Sequence, residues 1–262
     1  MVIPSYILVF LLVLLRTLGV AGTAPWLGNT QVPTIWKIGI GLLLALIVTT
    51  TIPAHQLLPT ASTLQFPAFI VLAVQETLVG VALGFIMNVV FAAVEVAGGL
   101  LDLQIGLSIA SIVSPGLVGP VTLLSNFEYM LFTLWFLAVN GHYVIILAIL
   151  QSFRVLPIGA AHFSGPLENL FIQATANLFV LAIQMAAPVM LSLFITNVSL
   201  AAAARAVPQM NVFAVGLPLS LFVGFLVLSS VMPDLGTAFQ GLLTLLETQI
   251  DDALRAMGGV FT

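Results

Sequence analysis

Across 262 residues this chain carries only five Lys or Arg and nine Asp or Glu side chains, 5% charged, where an ordinary soluble domain has about 25%. A surface facing water needs dozens of charges, and they are absent. With 61% of its residues hydrophobic, the chain reads as an all-α, polytopic, membrane-type protein, embedded in or beside lipid.

The same scarcity excludes whole classes of function. The permanent cations are Arg16, Lys37, Arg154, Arg205 and Arg255, and the net charge is −4. No patch of these can neutralise a run of phosphates, so nucleic acid is excluded as a partner. Without cysteine there is no disulfide, no thiolate nucleophile and no thiolate-held metal. The apolar start, Met1 to Leu15, lacks a basic leader and meets Arg16 rather than a small-residue cleavage site, so it reads as a retained helix.

Six apolar runs follow one another at about residues 3–20, 36–52, 69–103, 127–150, 167–204 and 213–232, separated by Gly, Pro and Asn clusters. After Pro233, Leu235, Phe239, Leu242, Leu246, Ile250 and Leu254 recur at helical spacing opposite Gln240, Glu247, Asp251 and Arg255, which predicts an amphipathic helix over 234–257. No linker or repeat divides the chain, so 1–262 is expected to be one domain. Runs three and five are too long for a plain crossing, because about 35 helical residues reach roughly 50 Å against a hydrocarbon core of about 30 Å. A break is expected at Gly98-Gly99 in run three and a kink at Pro188 in run five. If the runs alternate sides, Arg154 and Arg255 face one side and Lys37 and Arg205 the other, so charge sets no orientation.

Catalytic signatures of soluble enzymes are missing. There is no phosphate-binding glycine loop, and His55, His142 and His162 lie in different segments without a metalloprotease pair. The stretch around Ser108 lacks the second glycine of a nucleophile elbow, which leaves an intramembrane protease a distant reading. The expectation is a non-enzymatic protein with no cofactor and no metal.

Polar residues in the long runs are patterned. Gly80, Gly84, Asn88, Glu95 and Asp102 are spaced four, four, seven and seven apart, which puts them on one face of a helix. The Gly80-x-x-x-Gly84 pair lets another backbone approach closely, and Asn88 and Glu95 suit hydrogen bonds between helices. Packing of protein on protein is the plainer reading; an ion path that also uses Glu76 is the sharper one. Gln173, Asn177, Gln184, Pro188 and Ser192 form a second stripe in run five, suited to assembly in a larger helical complex or to packing within this chain. Between runs three and four, 106–126 is uncharged yet broken by Gly106, Pro115, Gly116, Gly119 and Pro120, with Ser108 and Ser111 among its few polar side chains. Irregular backbone among membrane helices survives only inside protein or beside a water-filled cavity, so this segment is expected to be a gate or plug. Arg205, the only charge between Glu168 and Asp234, is expected to be bridged by Glu95, Asp102, Asp234 or an acid of another subunit.

Arg16 followed by Pro25 and Pro33, the stretch from Glu95 to Gly106, Asn140-Gly141-His142, and Arg205-Ala-Val-Pro208-Gln209-Met-Asn211, in this order, resemble the FliR family of type III secretion export-gate proteins. The resemblance covers nearly the whole chain. It implies one copy assembled with several FliP and FliQ subunits, with FlhB and FlhA as further partners, in a closed helical assembly passed by unfolded flagellar proteins. It also implies bent helical hairpins, an inner-membrane basal-body location with the gate largely above the bilayer plane, and a plug at 106–126. Subunit or helix contacts are then expected at Arg16, Gly80, Gly84, Asn88, Glu95, Asp102, Asn140, Gly141, His142, Gln184, Arg205, Pro208 and Gln209. The alternatives are an injectisome homologue and a self-contained ion-coupled transporter using Glu76, Glu95 and Asp102.

Overall fold

A computed structural model describes residues 5–25, 27–28, 32–53, 66–108, 122–163, 165–209 and 211–258. Among these residues are seven α-helices and no strand: α1 Ser5–Thr23, α2 Thr34–Thr51, α3 Phe66–Ile105, α4 Leu123–Ala138, α5 His142–Val155, α6 Gly165–Ala206 and α7 Val212–Gly258. Five of them, α1, α2, α3, α6 and α7, are long and apolar enough to cross a membrane; α4 and α5 qualify only as a bent pair. The all-α, membrane-type class is therefore correct. At 1.5 Å per residue the 40, 42 and 47 residues of α3, α6 and α7 measure about 60, 63 and 70 Å, roughly twice a hydrocarbon core.

Several expected breaks are absent. α3 passes through Gly98-Gly99 uninterrupted, because Gly98 serves close packing: a Cβ there would lie 2.5 Å from the Ser125 Cα of α4. α7 continues past Pro218 and Pro233, so the amphipathic tail is the end of a longer helix rather than a separate one, and Pro188, where the sequence predicts a kink, lies inside α6. Its pattern is as expected, with Leu235, Phe239, Leu242, Leu246, Ile250 and Leu254 buried and Gln240, Glu247 and Arg255 exposed. The fourth run, conversely, is divided. Asn140 adopts φ 61°, a left-handed conformation that the small amide side chain tolerates and that stops α4 before α5 begins. The segment expected to be irregular to Asn126 is already helical from Leu123.

Packing groups the chain into two compact units. The first comprises the described parts of Met1–Val90, Leu137–Thr175 and Leu243–Thr262. In it α1 packs on α2, where the Thr17 hydroxyl donates to the Gly41 carbonyl at 3.0 Å. α1 also crosses α3 at small residues: a Cβ on Gly19 would lie 2.9 Å from the Thr77 carbonyl oxygen, one on Gly80 would overlap the Arg16 carbonyl, and one on Gly84 the Thr23 hydroxyl. The second unit comprises the described parts of Phe91–Phe136 and Ala176–Leu242. Its core sets Leu101 and Ile105 of α3 and Leu124 of α4 against Ala186, Val189 and Leu193 of α6 and Leu228 of α7. An aromatic cluster completes it, the Phe132 ring lying 4.6 Å from Phe91 and 4.9 Å from Phe239.

Candidate functional site

In the first unit, Arg16 and Glu76 are both completely buried and form an ion pair. The Arg16 Nε donates to Glu76 Oε2 at 2.6 Å, and its Nη1 donates to the Ser152 hydroxyl at 3.3 Å and to the Leu156 carbonyl at 3.1 Å. The guanidinium carbon sits 4.0 Å from the centroid of the Phe153 ring, a cation–π contact. The other Glu76 oxygen accepts the Gly159 N–H at 3.2 Å. That N–H is presented by a turn in which Ala160 N–H donates to the Pro157 carbonyl and Gly159 takes φ 83°, the geometry of a type II turn that requires glycine there. One charge pair thus ties α1, α3, α5 and the connection after α5 together. The same connection is held again by Gln75, whose amide donates to the Ala161 carbonyl at 2.6 Å, and by His162, whose N–H donates to Met257 in the last turn of α7.

The second unit holds its carboxylates differently. Asp102, near the end of α3 and 1% exposed, accepts the Leu124 N–H at 3.0 Å on one oxygen and the Ser125 N–H at 3.1 Å on the other. These belong to the first turn of α4, whose N–H groups have no partner within the helix and whose dipole favours an anion. The Ser125 hydroxyl donates to the Glu95 carbonyl at 2.8 Å, across the contact that Gly98 permits. Gly106, at φ 91°, ends α3 one residue past Ile105. Asp102 therefore fastens both ends of the connection that leaves α3 and enters α4. Of the residues expected to form a plug, Gly106 and Ser108 are described as the turn that follows α3, while Ser111, Pro115, Gly116, Gly119 and Pro120 lie outside the described residues.

The expected stripe on α3 is split. Gly80 and Gly84 receive α1 of the same chain, Asp102 receives α4, and Asn88 and Glu95 are exposed, as are Gln173, Asn177, Gln184 and Pro188 on α6. Arg205, Pro208 and Gln209 are exposed as well. The expectation that Arg205 is bridged within the chain is not met: Asp102 is occupied at α4, Glu95 and Asp234 are exposed, and Arg16–Glu76 is the ion pair found among the described residues. Arg205 stands instead in the last turn of α6, where a cation is favoured by the helix dipole. Asn140 and Gly141 make the turn between α4 and α5, and His142 begins α5 with its ring 4.5 Å from that of Tyr143.

A family model described as bacterial export proteins, family 1, matches residues 7–246. The chain belongs to this family. Among its relatives, the flagellar biosynthetic protein FliR of Bacillus subtilis is 37% identical over 222 residues, 84% of either chain. FliR of Escherichia coli is 34% identical over 224 residues, covering 84% of this chain and 82% of its own. FliR of Aquifex aeolicus is 31% identical over 229 residues, 87% of each. For this export-family chain the resemblance read in the sequence is correct.

Some of the site was not visible in that reading. Arg16 is the only charge in the first apolar run and Glu76 the first in the third, and two lone opposite charges in apolar helices have strong reason to meet; that signal was available. Ser152, Phe153 and Gly159 carry no such mark. Glu128, the only charge in the fourth run and buried on α4, carries the same mark of a lone charge in an apolar helix.

Proposed function

We propose that this export-family chain is a non-enzymatic subunit of the flagellar type III export gate. It acts as one unit over its whole length, contributing part of a pore wall through which unfolded flagellar proteins leave the cell. It resides in the inner membrane at the flagellar basal body, in contact with lipid, as one copy among FliP and FliQ subunits and beside FlhB and FlhA. The segment 106–126 serves as the plug, with no covalent chemistry and no cofactor.

The observation that carries this reading is the outer face of α6. Gln173, Asn177 and Gln184 are exposed and have no hydrogen-bond partner among the described residues, on a helix about 63 Å long that also exposes Phe194 and Ile195. Amide side chains spaced along a helix of this hydropathy are poorly placed in lipid and well placed against neighbouring helices. The alternative of a self-contained transporter has less support, because Glu76 and Asp102 have both carboxylate oxygens engaged in structural hydrogen bonds.

The test is export itself. In a flagellated bacterium lacking its own copy of the gene, this chain is expected to restore secretion of filament protein into the medium. A version lacking Ser111 to Val118 is expected to assemble yet let membranes conduct ions at rest. Failure to restore export despite normal levels of the chain contradicts the reading, and a fully assembled deletion variant that does not leak removes the plug from it.

A further inference from the structure

Glu128 is a buried acid without a counter-charge among the described residues. It is 5% exposed, and its Oε2 has no hydrogen-bond partner. It stands three residues after Ser125 and four after Leu124 on α4, so it lies on the same helical face one turn further along. Those two residues hold the Asp102 carboxylate through their N–H groups, and the Asp102 charge acts on Glu128.

No cation is near. The other ionisable groups described in this unit are Glu95 on α3, Tyr129 on α4, Arg205 on α6 and Asp234 on α7. Glu95, Arg205 and Asp234 are exposed, and Tyr129 is half-buried with a partner of its own. α6 and α7, which pack against α4 at Leu124 and Phe132, thus bring no buried positive charge to offset a second carboxylate. Two ionised acids, one held at the first turn of α4 and the other one turn further along that helix, are strongly disfavoured in such surroundings, whereas one proton on the pair removes the conflict.

We propose that Glu128 is a proton-binding site: it holds a proton in the native chain, leaving the single negative charge of the pair on Asp102, where the α4 N-terminus receives it. Asp102 is the better place for that charge because each of its oxygens accepts a backbone N–H, while Glu128 Oε2 accepts none. Release of the proton places two negative charges beside the contacts that close α4 onto α3, at the base of the connection between them. The proton thereby stabilises that closed base. This inference rests on the packing of the second unit and not on the export reading.

The experiment is an infrared difference spectrum of the full chain in detergent at neutral pH, wild type minus Glu128→Gln. The expected result is the carbonyl band of a protonated carboxylic acid, lost in the variant; a difference containing only carboxylate bands overturns the proposal, whether the compensating cation is sodium or another ion. Should Glu128→Gln not accumulate, wild-type chain labelled at the glutamate carboxyl carbons is expected to show one resonance at the protonated position at neutral pH, and none there overturns it equally. Thermal melting adds the sign. The native state then binds a proton that the unfolded chain releases, so the wild-type midpoint, taken relative to that of Glu128→Gln, is expected to fall as the pH rises from the ordinary carboxylate range to neutral. A wild-type midpoint that does not fall relative to that of the variant contradicts the assignment.

Discussion

The crossing of α1 with α3 and the outer face of α6 are built from the same apolar background and use their polar residues in opposite ways. At the crossing, Arg16 and Glu76 lose all contact with solvent and find each other, a serine, a ring, a carbonyl and a turn N–H inside one chain. On α6, Gln173, Asn177 and Gln184 are left outward with no hydrogen-bond partner described. The difference separates polar residues that complete the fold of this chain from polar residues that the fold leaves for something else. Within one long helix, α3, both kinds occur: Gly80 and Gly84 are covered by α1, while Asn88 and Glu95 face out.

The sharpest way to break that comparison is to remove one member of the buried pair. Arg16→Ala leaves Glu76 buried without its counter-ion, a change that costs about 3–5 kcal/mol and is comparable to the whole stability of many domains, so almost no folded chain is expected by size-exclusion chromatography. The double change Arg16→Met with Glu76→Gln removes both charges and keeps a carbonyl oxygen for the Gly159 N–H. Much of the yield should return, because a buried ion pair is replaceable by neutral groups of similar volume. If Arg16→Ala alone folds normally, the pair is not what holds the α1 crossing together.

Gly84→Leu comes next. The added side chain meets Thr23 on α1, and overpacking of this kind costs about 1–3 kcal/mol or more, so the isolated chain itself should melt lower. A variant that melts like the wild type and fails only to associate would move Gly84 from the inner class of residues to the outer one.

These two classes were partly legible in the sequence. The scarcity of charge gave the fold class, and the four-residue spacing of Gly80 and Gly84 announced a close helix crossing. Nothing in the spacing said which helix would cross, because α1 lies 60 residues away and the pattern records only a need for small residues. Helical periodicity also could not separate Asp102 from Glu95. They share a face of α3, and what divides them is the arrival of α4 at Ser125, a tertiary event that the Gly98 contact permits. Gly98-Gly99 and Pro233 look like helix breakers locally, yet packing and the surrounding hydrogen-bond ladder carry the helices through. Asn140 was noticed as part of a motif, while its left-handed backbone, the reason the fourth run divides, is a conformation that the sequence permits without demanding.

Smaller effects sharpen the outer class. Gln173, Asn177 and Gln184 changed together to leucine should leave the melting temperature of the isolated chain unchanged. Association with partner helices should weaken by about 0.6 kcal/mol for each interhelical hydrogen bond lost, about 1.8 kcal/mol or roughly 20-fold, measured by pull-down titration. The smallest effect is expected at Arg205. Its exposure predicts changes within about 0.5 kcal/mol in chain stability for Arg205→Lys and Arg205→Ala alike. If its fork of donors bridges to a neighbouring subunit, complex yield should still drop for both, because lysine keeps the charge and loses the fork. Equal and normal yields would place Arg205 in water.

The central claim, that the outer face of this chain is completed by other proteins, is tested most directly by the mass of the purified particle. Co-expressed with FliP-like and FliQ-like chains and examined by native mass spectrometry, the chain is expected in a mixed assembly containing one copy of itself, and the triple leucine variant on α6 is expected to leave that assembly while remaining folded. A monomer, or a symmetric oligomer of this chain alone, at the same mass whether or not the other chains are present, would contradict the account.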